Sequence, residues 1–224
     1  MTSVMGPEHI QELVSHDIPT VLLDQERSER LLSSIWVDYA RGVTQAVDHL
    51  RKLGHRRFAF ISGPGNIRSA QNFREAVADV FETRGVGGCR MLEGNHRVDG
   101  GATAALALLK EPRLPTAILC GNDLTAIGAM GALENAGVGV PQTVSVVGFD
   151  DVYFAHLARP ALTTIRLPRE ELGKLALEAL DRTLRSKRKS GSLYTCETEL
   201  VVRGSTGPVS HRSSTRRGRR GDAK

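Results

Sequence analysis

Short apolar runs alternate with helical patterns through the central part of the chain, and this alternation is the strongest constraint on its fold. The run 18–24 (IPTVLLD) precedes a helical pattern over 40–53, and the run 56–63 (RRFAFISG) precedes one that ends at Gly85. Strands that alternate with helices are typical of βα units, whose strands pair in a mainly parallel sheet. The sequence therefore predicts an α/β fold.

The same criteria predict the remaining elements. Helices are expected over 7–16, 99–110, 123–136 and 169–185, and strands over 89–92, 115–123, 144–150, 161–167 and 193–204. A doubly wound sheet normally starts with a strand, whereas only a short helix precedes the first clear strand here. We therefore expect the sheet to be entered partway through.

The net charge of +5 is concentrated at the C-terminus. Residues 208–224 contain six basic residues and one acidic residue, so residues 1–207 carry no net charge. The folded body therefore offers no net basic charge of the kind that a DNA-binding face needs. The segment 208–224 lacks apolar periodicity and is predicted to be a basic, disordered tail, for which weak contact with phosphates remains open.

Targeting and catalytic signals are absent from the sequence. No apolar stretch is long enough for a membrane span, and the N-terminus has no signal-peptide pattern. Three widely spaced cysteines fit reduced thiols, which predicts a cytoplasmic protein. GxSxG, GxxxxGKS/T, HExxH and CxxC are all missing, so no enzyme, metal or cofactor is predicted. The glycine-rich turn 61–66 fits either a phosphate site or, more simply, a tight turn.

Polar side chains recur where predicted strands end. Three strands show this, with the pairs Asn66 and Arg68, Asn122 and Asp123, and Asp150 and Asp151. Ligands of open α/β sheets bind outside the carboxyl ends of the strands, and these side chains can hydrogen-bond to hydroxyl groups. Asp123 is expected to be a helix N-cap, and Asp150 is expected to contact a ligand.

The adjacent carboxylates of Asp150 and Asp151 allow three interpretations: a metal site, a catalytic pair, or a hydrogen-bonding site for a ligand. Neighbouring residues of an extended segment point to opposite faces, so the pair is poorly placed to act on one ion or one bond. We therefore expect Asp150 to face a cleft, and Asp151 to turn away and cap or orient the segment 152–157.

Four long segments carry a resemblance to a known family. They are HLRKLGHRRFAFISGP, PTAILCGNDLTAIGAMGALENAGVGVPQTVSVVGFDD, RPALTTIRLPREELGKLALEAL and ELVVRGSTGP. Together they resemble, from Ile18 to Pro208, the effector-binding module of the LacI/GalR family of bacterial transcriptional regulators. The resemblance implies a type I periplasmic-binding-protein-like fold with two doubly wound lobes and three crossovers. It also implies a small-molecule effector in the cleft and a homodimer.

By that resemblance, residues 1–207 form the effector-binding domain, with crossovers near residues 54, 163 and 190. The first lobe is expected to comprise about 1–53 plus 164–190, and the second lobe about 55–162 plus 191–207. The family's helix-turn-helix, hinge helix and first strands have no counterpart in residues 1–40, so the first lobe is expected to be incomplete at its N-terminus. Two explanations stay open: a start further upstream, or a degenerate fragment.

The resemblance also implies site residues. Asp150 matches the family's usual ligand-binding aspartate, Asn122 a frequent ligand contact, and Leu119 a position that often lines the cleft. Asp38 of WVDYARG resembles an aspartate near the cleft and the lobe interface.

One position departs from the family pattern. Phe73 stands where the family usually has an arginine that binds ligand oxygens, and Arg68 or Arg74 is a possible substitute. Phenylalanine favours a less polar ligand or stacking against a sugar.

The resulting prediction is a ligand-responsive transcriptional regulator, in which this chain senses a sugar or nucleobase-like effector. Operator DNA would be bound only through a helix-turn-helix domain that these residues do not contain. The alternative is a stand-alone solute-binding protein of the same fold, which would require an export signal.

Overall fold

Two sheets and seven helices make up the part of the chain that the computed structural model describes, residues 6–87, 89–186 and 189–209. The strands are β1 (Thr20–Leu23), β2 (Leu32–Asp38), β3 (Phe58–Ser62), β4 (Arg90–Glu93), β5 (Ala117–Cys120), β6 (Ser145–Asp150), β7 (Thr163–Arg166), β8 (Leu193–Glu197) and β9 (Glu199–Val201). The helices are α1 (Pro7–Ser15), α2 (Tyr39–Lys52), α3 (Arg68–Thr83), α4 (Val98–Leu108), α5 (Asp123–Asn135), α6 (Tyr153–Leu157) and α7 (Arg169–Arg185).

The strands are divided between a three-stranded sheet, in the order β1-β2-β8, and a six-stranded sheet, in the order β4-β3-β5-β6-β7-β9. All pairs are parallel except β7 with β9. The α/β fold with parallel sheets is thus confirmed. We call the part built on the three-stranded sheet the first lobe and the part built on the six-stranded sheet the second lobe.

The second lobe is covered by helices on both faces, as expected for a parallel sheet with nearly continuous apolar strands. Every residue of β3 and β5 is buried. One face packs against α2 and α3, with Phe60 and Val147 in the shared core. The other face packs against α4 and α5, with Ile118 and Leu133 in the core. These two layers fix the ends of the strands that carry the site.

Helix α2 belongs with the second sheet. Its buried residues Val43, Val47 and Leu50 pack in the same cluster as Phe58 and Phe81. The sequence-based boundary near residue 54 placed this helix in the first lobe. The structure differs because the apolar stripe of α2 faces α3 and β9, so the chain leaves the first sheet where β2 ends.

The run 193–204, expected to be one strand of the second lobe, is two strands in different sheets. Strand β8 pairs with β2 in the first lobe, and β9 pairs with β7 in the second. The break falls at Thr198, which is fully buried. Its hydroxyl donates to the Asp38 carbonyl (2.6 Å) and accepts from the Gly42 amide (3.0 Å), so the chain turns there between the lobes.

Strand β2 was not predicted, because serines interrupt its apolar pattern. Ser33 and Ser34 are nevertheless buried. The Ser33 hydroxyl lies 3.1 Å from that of Thr183 on α7 and accepts from the Ser192 amide at 3.1 Å. Thr183 is buried on α7 together with Ala179, whereas the neighbouring Leu184 is 60% exposed. A contact between two buried hydroxyl groups thus joins β2 to α7.

Helices α4 and α5 cross closely enough to require glycine. A Cβ atom at Gly128 would overlap the backbone carbonyl of Val98, whereas one at Gly131, on the same helix, would meet nothing within 4 Å. We expect Gly128→Ala to lower the free energy of unfolding by about 1–3 kcal/mol, since overpacking outweighs the helix propensity of alanine. Gly131→Ala should instead raise it by up to about 1 kcal/mol.

Urea unfolding followed by circular dichroism measures both changes. Equal effects of the two substitutions would contradict the close approach of α4 and α5.

Candidate ligand-binding cleft

A cavity of about 980 Å³ lies between the two lobes, at the carboxyl ends of their strands. The first lobe contributes the segment 21–27 and Leu172 of α7, and the second contributes residues that follow β3, β5 and β6. Cavities of this size, mostly apolar with a few polar groups, are typical of small-molecule sites. The topology therefore places one candidate site where the ends of both sheets face each other.

Four of the six predicted site residues line this cavity, and two do not. Asp150, Asn122, Phe73 and Arg68 line it. Leu119 is instead 1% exposed within the core of the second lobe, because its side chain faces the α2–α3 layer. Asp38 is the N-cap of α2, where its carboxylate accepts from the Arg41 amide at 3.0 Å.

Asp150 ends β6 with a positive φ of 111°. Its Oδ1 lies 3.1 Å from Nη2 of Arg169, and Nη1 of the same arginine donates to the Asp150 carbonyl at 2.9 Å. Burial raises the pKa of Asp150 to about 6, against the opposing effect of Arg169. At neutral pH Asp150 is therefore mainly a carboxylate, and it is joined to the first residue of α7 across the lobe boundary.

Asp151 turns away from the cavity, but it does not cap the following helix as expected. Helix α6 has Val152 at its N-cap and no side-chain cap. Asp151 instead accepts from Arg166 Nε at 2.8 Å and from Arg203 Nη2 at 2.5 Å. Burial raises the pKa of Asp151, but these two arginines hold it below its ordinary value.

The carboxylates of Asp150 and Asp151 therefore have separate partners. This divergence argues against a shared metal ion or a catalytic pair. Within the three described segments, no group of three or more His, Cys, Asp or Glu side chains is arranged to hold a metal ion.

Asn122, not Asp123, caps α5. Its Oδ1 accepts from the Thr125 amide at 2.9 Å, and its Nδ2 donates to the His96 carbonyl at 2.9 Å. The expected N-cap role of Asp123 is therefore wrong. With both ends of its side chain bonded to the protein, Asn122 forms a rigid part of the cavity wall.

Asp123 is fully buried beneath the cavity. Its Oδ2 accepts from the Val152 amide at 2.7 Å, and its Oδ1 accepts from the Thr164 hydroxyl at 2.5 Å. Burial raises the pKa of Asp123 to about 7 despite these hydrogen bonds. Asp123 thus connects the start of α5 to the segment after β6 and to β7, and so positions Asp150.

Phe73 belongs to an aromatic cluster at the cavity wall. Its ring centroid lies 4.6 Å from that of Phe149 and 5.3 Å from that of Tyr39. Phe73 is 3% exposed, so most of its ring packs in the core. Arg68, at the start of α3, is exposed at the rim of the cavity. Because Phe73 stands where the family usually has an arginine, the part of the cavity wall formed by this aromatic cluster is apolar.

Asp24 was not identified from the sequence as a site residue. It follows β1, lines the cavity and is 8% exposed. The Tyr39 hydroxyl donates to its Oδ2 at 2.6 Å. Burial raises the pKa of Asp24, against the effect of this hydrogen bond. Asp150 was identified because it is an acidic residue directly after a predicted buried strand. Asp24 has the same position at the end of the run 18–24, so the same criterion could have identified it.

Two further sequence-based expectations concern the termini and membranes. The predicted disordered tail, 208–224, lies almost wholly outside the described residues, which end at Val209. Among the described helices, none is long and apolar enough to cross a membrane.

Comparison with known proteins agrees with this geometry. Residues 47–206 match the family described as periplasmic binding protein-like domain. The chain belongs to this family. The resemblance to the LacI/GalR effector-binding module is also confirmed, since the relatives are transcriptional regulators of that type.

Two curated relatives illustrate the similarity. The HTH-type transcriptional regulator DegA of Bacillus subtilis is 32% identical over 202 residues, covering 89% of this chain and 60% of the relative. Catabolite control protein A of Priestia megaterium is 27% identical over 211 residues, covering 92% of this chain and 63% of the relative. The chain thus spans about three fifths of the length of these proteins.

Solved structures show the same fold. A LacI transcriptional regulator from a Rhodococcus species superposes with a TM-score of 0.86 at 26% identity, covering 94% of this chain and 77% of the other. A LacI family regulator from Enterococcus faecalis V583 with bound ribose gives a TM-score of 0.82 at 26% identity, with the same coverage of both chains. The periplasmic-binding-protein-like fold is thereby confirmed.

The raised pKa of Asp150 predicts a pH-dependent stability. The folded-state pKa of about 6 exceeds the reference value of 3.8, so between these pH values the folded state binds more protons than the unfolded state. The free energy of unfolding therefore falls as pH rises from about 4 to 6, and at pH 7 the ionised Asp150 destabilises the folded state. Asp150→Asn should remove this destabilisation and raise the free energy of unfolding at pH 7 by an amount on the order of 1–3 kcal/mol.

Asp151→Asn is the matched control, because the pKa of that neighbour is lowered. It should lower stability at pH 7, since Arg203 would lose its carboxylate partner. Thermal unfolding between pH 4 and 8 distinguishes the two variants, and the same sign of change at pH 7 in both would refute this assignment.

Proposed function

We propose that this chain is the effector-sensing and dimerisation part of a ligand-responsive bacterial transcriptional regulator of the LacI/GalR type, and that it is not an enzyme. The observation that carries the proposal is the cavity between the lobes, lined from both sides by polar groups that include Asp150. The similarity to DegA and to catabolite control protein A supports it. A regulator of transcription in a bacterium acts in the cytoplasm, which we propose as its location.

The effector would act by changing the relative positions of the lobes. Polar contacts already bridge the cleft, between Asp150 and Arg169 on one side and between Asp24 and Tyr39 on the other. A ligand that binds groups of both lobes stabilises the arrangement in which those groups lie closest. Such differential binding to two states is what couples a ligand to a second site.

The second site would be operator DNA, bound through a helix-turn-helix domain. A lac repressor dimer bound to operator is among the structures with this fold, at a TM-score of 0.79 and 27% identity. The described residues themselves offer no motif for reading DNA. DNA binding is therefore proposed for the whole protein and not for this chain.

The effector proposed is a small sugar or nucleobase-like molecule. Carboxylates accept hydrogen bonds from hydroxyl and amino groups, and aromatic rings pack against the apolar face of a sugar or against a base. Two of the structural relatives, from Enterococcus faecalis and Enterococcus faecium, contain bound ribose. The combination of Asp150 with the cluster around Phe73 supports a ligand with one polar and one apolar side.

A homodimer is the proposed assembly, with α6 at its interface. This helix exposes Tyr153 (72%), Phe154 (59%) and Leu157 (50%) next to one another. A cluster of large exposed apolar side chains is typical of a protein–protein interface. Dimeric lac repressor is among the structures of the same fold.

A ligand panel tests the effector site. Pentoses, hexoses and nucleosides, together with their phosphates, should include a compound that raises the apparent free energy of unfolding, by about 2.7 kcal/mol at a concentration of 100 times Kd. Asp150→Ala should abolish the shift, whereas Glu134→Ala, an exposed carboxylate on α5, should preserve it. Thermal shift is the measurement. A shift that survives in Asp150→Ala would disprove binding at this cleft.

Sedimentation analysis tests the dimer. Phe154→Glu places a charge in the exposed patch on α6 and should move the chain from dimer to monomer at micromolar concentration, because an unpaired charge is costly in a buried interface. Leu106→Glu changes a similar side chain, 49% exposed on α4, and serves as the control. Equal effects of both substitutions, or of neither, would exclude α6 as the interface.

A further inference from the structure

Residues 205–209, which we call the strap, cross the second lobe at the end of the described chain. Ser205 lies between β6 and β7, where its carbonyl accepts from a β6 amide at 2.9 Å and its hydroxyl accepts from a β7 amide at 2.8 Å. At the other end of the strap, the Val209 amide donates to the carbonyl of Leu53, the C-cap of α2, at 3.0 Å. The strap therefore joins the sheet of this lobe to the end of one of its helices.

His55 contacts the middle of the strap and is 1% exposed. Its Nε2 lies 3.0 Å from the Gly207 carbonyl oxygen and 3.0 Å from the Ser145 hydroxyl oxygen. Because a carbonyl oxygen can only accept, Nε2 carries the proton and donates. The other ring nitrogen, Nδ1, is buried and has no hydrogen-bond partner among residues 6–87, 89–186 and 189–209. A proton on Nδ1 would be a buried donor with nothing to accept it, so this arrangement favours the neutral ring.

His49, on α2, contacts the neighbouring residue of the strap. Its Nε2 lies 3.0 Å from the hydroxyl oxygen of Thr206, which also lies 3.2 Å from that of Thr163 on β7. His49 is half-buried, whereas His55 is buried. Two histidines thus contact consecutive residues of the same segment.

The charged groups around both histidines are basic. Lys52 lies on the same helix as His49, and the guanidinium of Arg56 donates to the His55 carbonyl at 2.9 Å. Asp48, next to His49 in sequence, pairs with Arg84 at 3.1 Å. Residues 136–144, which lead into β6, include no charged residue. In the three described segments, neither histidine forms an ion pair with a carboxylate.

We propose that the strap is proton-sensitive: neutral His55, assisted by His49, holds residues 205–209 against the second lobe, and protonation of these histidines releases the end of the strap. A proton added to Nδ1 of His55 has no acceptor while the strap is bound, whereas release of the strap lets water reach the ring. The inference goes beyond the proposed function, since neither histidine lines the cleft.

The direction of the pH dependence follows from burial, which lowers the pKa of both histidines. The hydrogen bond to Gly207 opposes this effect at His55, and Lys52 adds to it at His49. The folded state therefore binds fewer protons than the unfolded state, in which the pKa has its ordinary value of 6.5. Attachment of the strap is complete above that pH and weakens as the pH falls below it. Because Asp150 changes overall stability in the opposite direction, only a local measurement isolates the strap.

Amide hydrogen exchange followed by NMR tests the proposal, because it measures the opening of individual hydrogen bonds. The strap amides are those of Gly207, which donates to the Ser145 hydroxyl at 3.1 Å, and Val209. The amide of Ala105, fully buried on α4 of the same lobe, is the reference. After correction for the intrinsic exchange rate, a change from about pH 7.5 to about pH 5.5 should reduce protection of the strap amides about tenfold relative to the reference.

His55→Gln is the main variant. The side-chain amide of glutamine can donate to the Gly207 carbonyl as Nε2 does, but it does not titrate. Protection of the strap should then change by less than about threefold between the two pH values. His49→Gln should remove a smaller part of the pH dependence, because that ring is only half-buried. His16→Gln removes an exposed histidine of the first lobe, and this control should behave like the wild-type chain.

Three outcomes overturn the proposal. Equal loss of protection in the strap and at Ala105 would show that the whole lobe opens. Unchanged pH dependence in His55→Gln would show that another group titrates, and equal effects of His55→Gln and His16→Gln would remove the specific role of His55.

NMR titration of the His55 ring in the wild-type chain carries the test if His55→Gln does not fold. The ring should gain its proton over the pH interval in which the Gly207 amide loses protection. Protonation of His55 without that loss would refute the proposal. No ligand is used in these measurements, so the proposed effector function stands or fails separately.

Discussion

The site depends on one buried carboxylate that the ligand does not need to touch. Asp123 accepts hydrogen bonds from the Val152 amide and the Thr164 hydroxyl, and so joins the start of α5 to the segment after β6 and to β7. Asp123 is fully buried, so its ionised form is poorly solvated, and burial raises its pKa to about 7. Its hydrogen bonds hold the segment that follows β6, where Asp150 and Asp151 diverge, against α5 and β7.

Single polar side chains also connect the two lobes. Thr198 turns the chain between β8 and β9 with a single hydroxyl that bonds both the Asp38 carbonyl and the Gly42 amide. On either side of the cleft, one carboxylate makes a polar contact with the opposite lobe, Asp24 with Tyr39 and Asp150 with Arg169. Polar contacts of this kind suit a pair of lobes whose arrangement responds to a ligand.

Much of the fold could be predicted because local pattern and tertiary structure agree. Helix α7 was predicted with the bounds that the structure has, and Gly54 and Gly85 follow helix ends with positive φ. Strand β2 escaped prediction because Ser33 and Ser34 interrupt its apolar pattern. The partners of the Ser33 hydroxyl, the Thr183 hydroxyl and the Ser192 amide, lie far along the chain, so no local pattern reveals them. Parallel strands pair with partners far along the chain, so lobe membership is equally hidden.

By itself, the sequence determined the α/β class, the order of most of its elements and the acidic residue at the end of β6, since each follows from periodicity or from position after an apolar strand. Only the tertiary structure decided which polar groups reach the cleft. In the folded protein Leu119 lies in the core, and Asp151 pairs with arginines. Asp24 and Asp150, from different lobes, line the same cavity. The reason is that orientation depends on φ and on partners supplied by distant segments, and neither can be read from neighbouring residues.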